Sequence, residues 1–244
     1  QRAHSEDDQA PEPLRAMLSL YEQQKAWAEL DEVAERLTSL ITLEDSERVE
    51  VMFKAASAAQ EPERALEWWR QLLELDPEHK KAQDQYKRAL VDGAYWDELT
   101  EFFAARDGWA ELVKTLESQA NTQADEEEKV SLYFRAADVW LTQLDQADRA
   151  IRALERVTQL DPNHLEVAER LAPLYAEASQ HAKLASSLET LVQFKPEDPH
   201  TLNRLEQLVS LQAGRLDEEA VRGQPLLPPV GGDQGVHPGR GEGP

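Results

Sequence analysis

The chain has 244 residues, a net charge of −22, 41% hydrophobic and 30% charged residues, and no cysteine. That charge repels phosphate backbones and anionic lipid surfaces, so no nucleic-acid partner is expected. The missing cysteine removes disulfides, thiolate zinc sites and cysteine catalysis.

In chain order, residues 1–10 carry Ser5-Glu6-Asp7-Asp8 and are expected to be a disordered end. Before Gly223 the only glycines are Gly93, Gly108 and Gly214. That is too few turn residues for a β-rich chain, so the segment to residue 222 is expected to be all-α, of about twelve helices. Trp27, Trp96 and Trp109 each open a helix ahead of a Glu-Leu pair. Three helices are predicted at about 79–92, 95–106 and 109–122. Asp125-Glu126-Glu127-Glu128 marks a helix N-terminus, where acidic side chains meet the positive end of the dipole. Phe134, Ala137 and Leu141 share one helical face; Ala150, Leu154 and Val157 share the next. Pro173 lies inside a helical pattern that continues through Leu174 and Tyr175, so a kink rather than a break is expected. Residues 201–222 read as one more helix with no second helix behind it. Residues 223–244 are rich in Gly and Pro and are expected to be a disordered tail. This ending resembles a truncation, and the opening on Gln1 deprives a missing targeting signal of meaning. No apolar run reaches the length of a membrane span. A soluble protein is expected, cytoplasmic before periplasmic.

Leu75-Asp76-Pro77-Glu78-His79 returns as Leu160-Asp161-Pro162-Asn163-His164, with a weaker echo from Phe194 to His200. Proline cannot continue the hydrogen-bond ladder, and Asp161 and Asn163 are turn and N-cap types, so the motif reads as a helix junction. Around it stand Phe134-x2-Ala137-Asp138-x2-Leu141, Ala150-x3-Leu154 and Pro162. They are followed by Ala168-x2-Leu171-Ala172-x2-Tyr175, Leu184-x3-Leu188 and Pro196. An earlier unit keeps Ala65-x3-Trp69 and Pro77. This pattern resembles the tetratricopeptide repeat, a helix–turn–helix unit of about 34 residues. The resemblance spans residues 20 to 220 and implies a right-handed α-solenoid. Asp138 stands where the repeat expects Gly, an awkward place for a carboxylate between packed helices.

A longer duplication overlies the repeat. Trp27 matches Trp109 at 82 residues, Phe53 matches Phe134 at 81, and Pro77 matches Pro162 at 85. The change of offset predicts a shorter turn after Phe53 than after Phe134. Trp96 and Trp109 lie only 13 residues apart, which predicts a short helix and a seam near Asp107-Gly108. The units expected are therefore 11–106 and 107–222.

No phosphate loop, dinucleotide fingerprint, zinc motif or nucleophile elbow occurs. No cofactor or metal is expected, and His79 and His164 read as polar turn residues. The resemblance implies a concave groove along the first helix of each pair, holding an extended peptide or a partner helix. Beside the first aromatic of the motif stand Lys54, Arg135, Arg170 and Arg204. Such a line suits an acidic segment or a free C-terminal carboxylate, because Arg pairs carboxylates bidentately. The same residues could be ordinary surface charge, as Glu50–Lys54 and Glu166–Arg170 are i,i+4 pairs. The carboxylate clamp of relatives uses Lys and Asn; Asn203 is the one Asn on this line. Trp68 and Trp69 point about 100° apart on a helix, which assigns Trp69 to the core and leaves Trp68 the more exposed, able to touch a partner. The function expected is a non-catalytic scaffold or adaptor. The alternatives are an arm of a larger multidomain protein and a spacer that self-associates through its uncapped C-terminal end. The adaptor is expected to be a monomer.

Overall fold

The computed structural model describes the backbone of residues 11–222 and the side chains of residues 11–214. Among them are twelve helices and no strand. The helices are α1 (Pro11–Gln24), α2 (Trp27–Thr38), α3 (Asp45–Ala58), α4 (Pro62–Leu75), α5 (Lys80–Asp92) and α6 (Trp96–Ala104). They continue as α7 (Trp109–Thr122), α8 (Glu126–Thr142), α9 (Ala147–Leu160), α10 (Leu165–Glu177), α11 (His181–Phe194) and α12 (Thr201–Arg222). The expected disordered ends and the acidic cluster at 5–8 lie outside the described residues. Neighbours in sequence pack as pairs, α1 with α2, α3 with α4, α8 with α9 and α10 with α11. The chain is all-α and built of tetratricopeptide-like helix–turn–helix pairs.

Two kinds of junction recur. Within three of these pairs, α1 with α2, α8 with α9 and α10 with α11, the turn is closed by one residue of positive φ: Lys25 (56°), Asp145 (51°) or Ser179 (54°). The next N–H then reaches back into the helix, Ala26 to Tyr21 at 3.0 Å and both Gln146 to Trp140 and Gln180 to Tyr175 at 2.8 Å. These bonds satisfy carbonyls that a helix end otherwise leaves open.

Between α4 and α5, and again between α9 and α10, the chain uses Leu-Asp-Pro-x-His. Here the structure corrects the cap assignment. The N-caps are His79 and His164, whose Nδ1 atoms accept from Ala82 N at 3.1 Å and Val167 N at 3.4 Å. The Asp161 carboxylate accepts instead from the Asn163 N–H at 2.9 Å and closes the turn ahead of the cap. Each imidazole also packs on an aromatic of the preceding pair, His79 at 5.5 Å from Phe53 and His164 at 5.7 Å from Phe134. The Asp125 carboxylate caps α8 by accepting from the Glu128 N–H at 2.8 Å. Helix α10 runs through Pro173 without a break.

The rhythm breaks at α6. This helix has nine residues, and the turns on both its sides are of the positive-φ kind, Ala94 (57°) and Asp107 (51°). Gly108 allows the second turn to close, since a Cβ there would sit 2.8 Å from the Phe103 ring. Contacts divide the chain into two compact units, Gln1–Thr115 and Leu116–Pro244. The division falls inside α7, past the Asp107-Gly108 turn at which the sequence places its boundary. The offset change after Phe53 has a different cause from the one expected. Helix α8 has 17 residues against 14 for α3, so most of the difference is an added helical turn, and that turn carries Trp140.

Candidate functional site

In the first unit, α4 carries both tryptophans into the interior. Trp69 meets Phe53 of α3 edge-on, with ring centroids 5.1 Å apart. Trp68 is 1% exposed, and its indole N–H donates to Asp31 of α2 at 2.6 Å. The expectation of an exposed Trp68 available to a partner is therefore wrong. Side chains 100° apart do face different directions, but α4 is covered on two sides, by α3 and by α2. Arg64 completes the cluster, 4.8 Å from the Trp68 ring and paired with Asp31 at 2.9 Å, Glu67 at 2.7 Å and Glu35 at 3.5 Å. Further along, the Tyr86 hydroxyl donates to Glu98, which Arg70 also pairs at 2.7 Å. Burial, reinforced by that carboxylate, pushes the Tyr86 hydroxyl up to about 12.

Among the basic positions singled out in the sequence, Lys54, Arg170 and Arg204 show how such side chains meet the chain's own carboxylates. Lys54 of α3 pairs Glu50 at 3.3 Å and Glu22 of α1 at 3.8 Å. Arg170 of α10 pairs Asp138 of α8, and Glu166 at 3.3 Å; its guanidinium lies 4.7 Å from the Phe134 ring. Arg204 of α12 pairs Asp198 at 3.0 Å and Glu169 of α10 at 3.8 Å, with its side chain 15% exposed. Arg135 is half-buried on α8 and Asn203 is exposed near the start of α12. These contacts join the first helix of one pair to the first helix of the next. Asp138 proves comfortable for the same reason: it is exposed and meets Arg170 rather than lying between packed helices. On α12, Leu202, Leu205 and Val209 are exposed at 65%, 39% and 64%.

Sequence reading missed a second basic group, in the second unit. Arg149, Arg152 and Arg156 project from one face of α9 into a cleft of about 310 Å³, facing Glu117 and Asn121 of α7 and Tyr133 and Trp140 of α8. Arg149 stacks on Trp140 at 4.6 Å. The Trp140 N–H donates to Glu117 at 2.8 Å and the Tyr133 hydroxyl to Asn121 at 2.9 Å. Burial pushes the Tyr133 hydroxyl up, with Arg156 pulling the other way. Glu155, on the same helix, is taken by Lys183 at 2.6 Å and Tyr175 at 2.9 Å. Among the described residues the three arginines form no ion pair with a carboxylate. Their signal in the sequence was the i, i+3, i+7 spacing opposite the apolar face of α9.

Among the described residues no group of three or more His, Asp or Glu could hold a metal ion, and no helix is long and apolar enough to cross a membrane.

No family model matches the sequence and no curated protein matches it. Solved structures of similar fold exist. One is the TPR domain of P58(IPK), 17% identical with a TM-score of 0.35, where the match covers 87% of this chain and 57% of that one. This chain thus spans little more than half of that domain. Another is a thermophilic TPR protein of Thermus thermophilus, 17% identical with a TM-score of 0.32, covering 84% of this chain and all of that one. A third is PilF of Pseudomonas aeruginosa, 14% identical with a TM-score of 0.34, covering 89% and 94%. The helix pairs and their junctions carry the fold assignment without these likenesses.

Proposed function

We propose that the chain is a non-catalytic scaffold that holds a segment of another protein along the first helices of its pairs. The observation that supports this reading is how the apolar residues are used. Most of those before α12 are buried between and within pairs, while the first helices keep a recurring row of charged side chains at the surface. Stacked helix pairs offer a binding face within each unit and need no reactive constellation. Lys54, Arg135, Arg170, Arg204 and Asn203 are the residues that would meet the partner. The fitting partner is an acidic segment or a C-terminal carboxylate, which would exchange with Glu50, Glu166 and Asp198 for the same cations.

The test is capture of partners from the source cell's lysate by residues 1–222, beside the same chain with Lys54, Arg135, Arg170 and Arg204 changed to Glu. Both baits are first checked for helicity. The expected result is a protein retained by the first and lost by the second. Identical partners on both, with both folded, would remove the first-helix face from the proposal.

A further inference from the structure

The cleft on α9 owes its existence to differences between the two copies of the repeat. At the offset of 85 residues, Arg64 of α4 corresponds to Arg149 of α9, Glu67 to Arg152, Trp68 to Ala153 and Gln71 to Arg156. In the first copy the Trp68 indole fills the space between α4 and α2, and Asp31 binds both its N–H and Arg64. In the second copy Ala153 stands at the indole's place and lines the cleft. At the offset of 82 that joins Trp27 to Trp109, Asp31 becomes Val113. The carboxylate that would neutralise Arg149 is therefore gone. Glu117 remains, but it is hydrogen-bonded to Trp140, which comes from the added turn of α8. A large side chain has been taken out, two carboxylates, Asp31 and Glu67, have been lost, and two cations have been added.

Within a chain of net charge −22, three guanidinium groups around one cleft without carboxylate partners are set to receive anions from outside. We propose that this cleft binds an acidic stretch of a partner protein, with its carboxylates on Arg149, Arg152 and Arg156. The spacing favours a stretch over a single anionic group. Seven residues of helix separate Arg149 from Arg156, a rise of about 10.5 Å. An extended segment covers that in about three residues at ~3.3 Å each, and its alternate side chains fall on one side. A long polyanion such as nucleic acid would meet the surrounding negative charge; a short acidic segment meets little of it. The inference takes its kind of partner from the scaffold reading, but it concerns the second helix of a pair, away from the first-helix row.

The experiment uses the full chain and a fluorescein-labelled peptide of four Glu-Ser repeats, followed by fluorescence anisotropy, with four Gln-Ser repeats as control. Binding of the Glu peptide alone is expected, weakening as NaCl is raised. Arg149→Gln/Arg152→Gln/Arg156→Gln should weaken it by about tenfold or more. Ala153→Trp should do the same with every arginine in place, because it restores the filling seen in α4. Lys80→Gln/Lys81→Gln, two exposed cations outside both the first-helix row and the cleft, should leave it unchanged. The triple Gln variant changes only exposed positions and decides the matter if Ala153→Trp does not fold. Binding lost in Arg170→Gln/Arg204→Gln but kept in the α9 variant would overturn this site while supporting the first-helix reading. No binding of the Glu peptide, or tighter binding of a peptide with one phosphoserine or of an oligothymidylate, would overturn it as well.

Discussion

Helices α4 and α9 occupy the same place in the two copies of the repeat, and each presents an arginine stacked on a tryptophan. In α4 the arginine is closed in: Arg64 meets Asp31, Glu35 and Glu67, over a Trp68 that fills the interior. In α9 the arginine is open: Arg149 lies on Trp140 beside Arg152 and Arg156, above the gap left at Ala153. The backbone plan is shared, so the difference comes from a handful of substitutions. A repeat can hold its packing scheme constant and let one copy become structural while the other becomes available for binding.

The strongest way to break this comparison is to make α4 resemble α9. Trp68→Ala should cost about 3–5 kcal/mol, the range for emptying a buried large aromatic site. It would be read as a lowered urea midpoint by circular dichroism. A loss under about 1 kcal/mol would mean that Trp68 is not the filling that distinguishes the copies. A smaller effect is expected at the acceptor. Asp31→Ala should cost about 1–3 kcal/mol, because it leaves a buried indole N–H without a partner. Asp31→Asn keeps an acceptor and should recover part of that loss in thermal unfolding. Equal losses for Ala and Asn would assign the effect to the Arg64 ion pair rather than the indole. The smallest effect tests the junctions that the copies share. His79→Ala should cost about 1 kcal/mol, within the range for losing an N-cap. His164→Ala should cost less, as its bond to Val167 is longer, 3.4 Å against 3.1 Å. Amide exchange at Ala82 and Val167 should accelerate in the same order; the reverse order would show that the imidazoles act through Phe53 and Phe134 instead.

Much of the fold was legible because helical periodicity and proline punctuation are local signals. The short α6 and its neighbours, expected at about 79–92, 95–106 and 109–122, could be placed from helical periodicity and the close spacing of Trp96 and Trp109. What escaped the sequence needed a neighbour. Trp68 was misjudged because a helix in a stack is covered from two sides, and periodicity shows one stripe. The cap went to Asp161 and Asn163 because they are common cap types, although the imidazole is the group that reaches the open N–H. The row of Lys54, Arg170 and Arg204 was found, but its partners Glu22, Asp138 and Glu169 lie about one repeat earlier. The α9 arginines were visible as letters and acquired meaning only when Ala153 was seen to leave a gap.

The ion pairs that join one helix pair to the next are short in sequence. Arg15 meets Glu47 32 residues away, and Arg64 meets Asp31 33 residues away. The indole bond of Trp68 spans 37 residues. Each pair can therefore find its partners in the chain just made, without waiting for the far terminus. Such a molecule can fold during translation, pair after pair behind the ribosome, because loop-closure entropy never has to be met over more than about one repeat at a time.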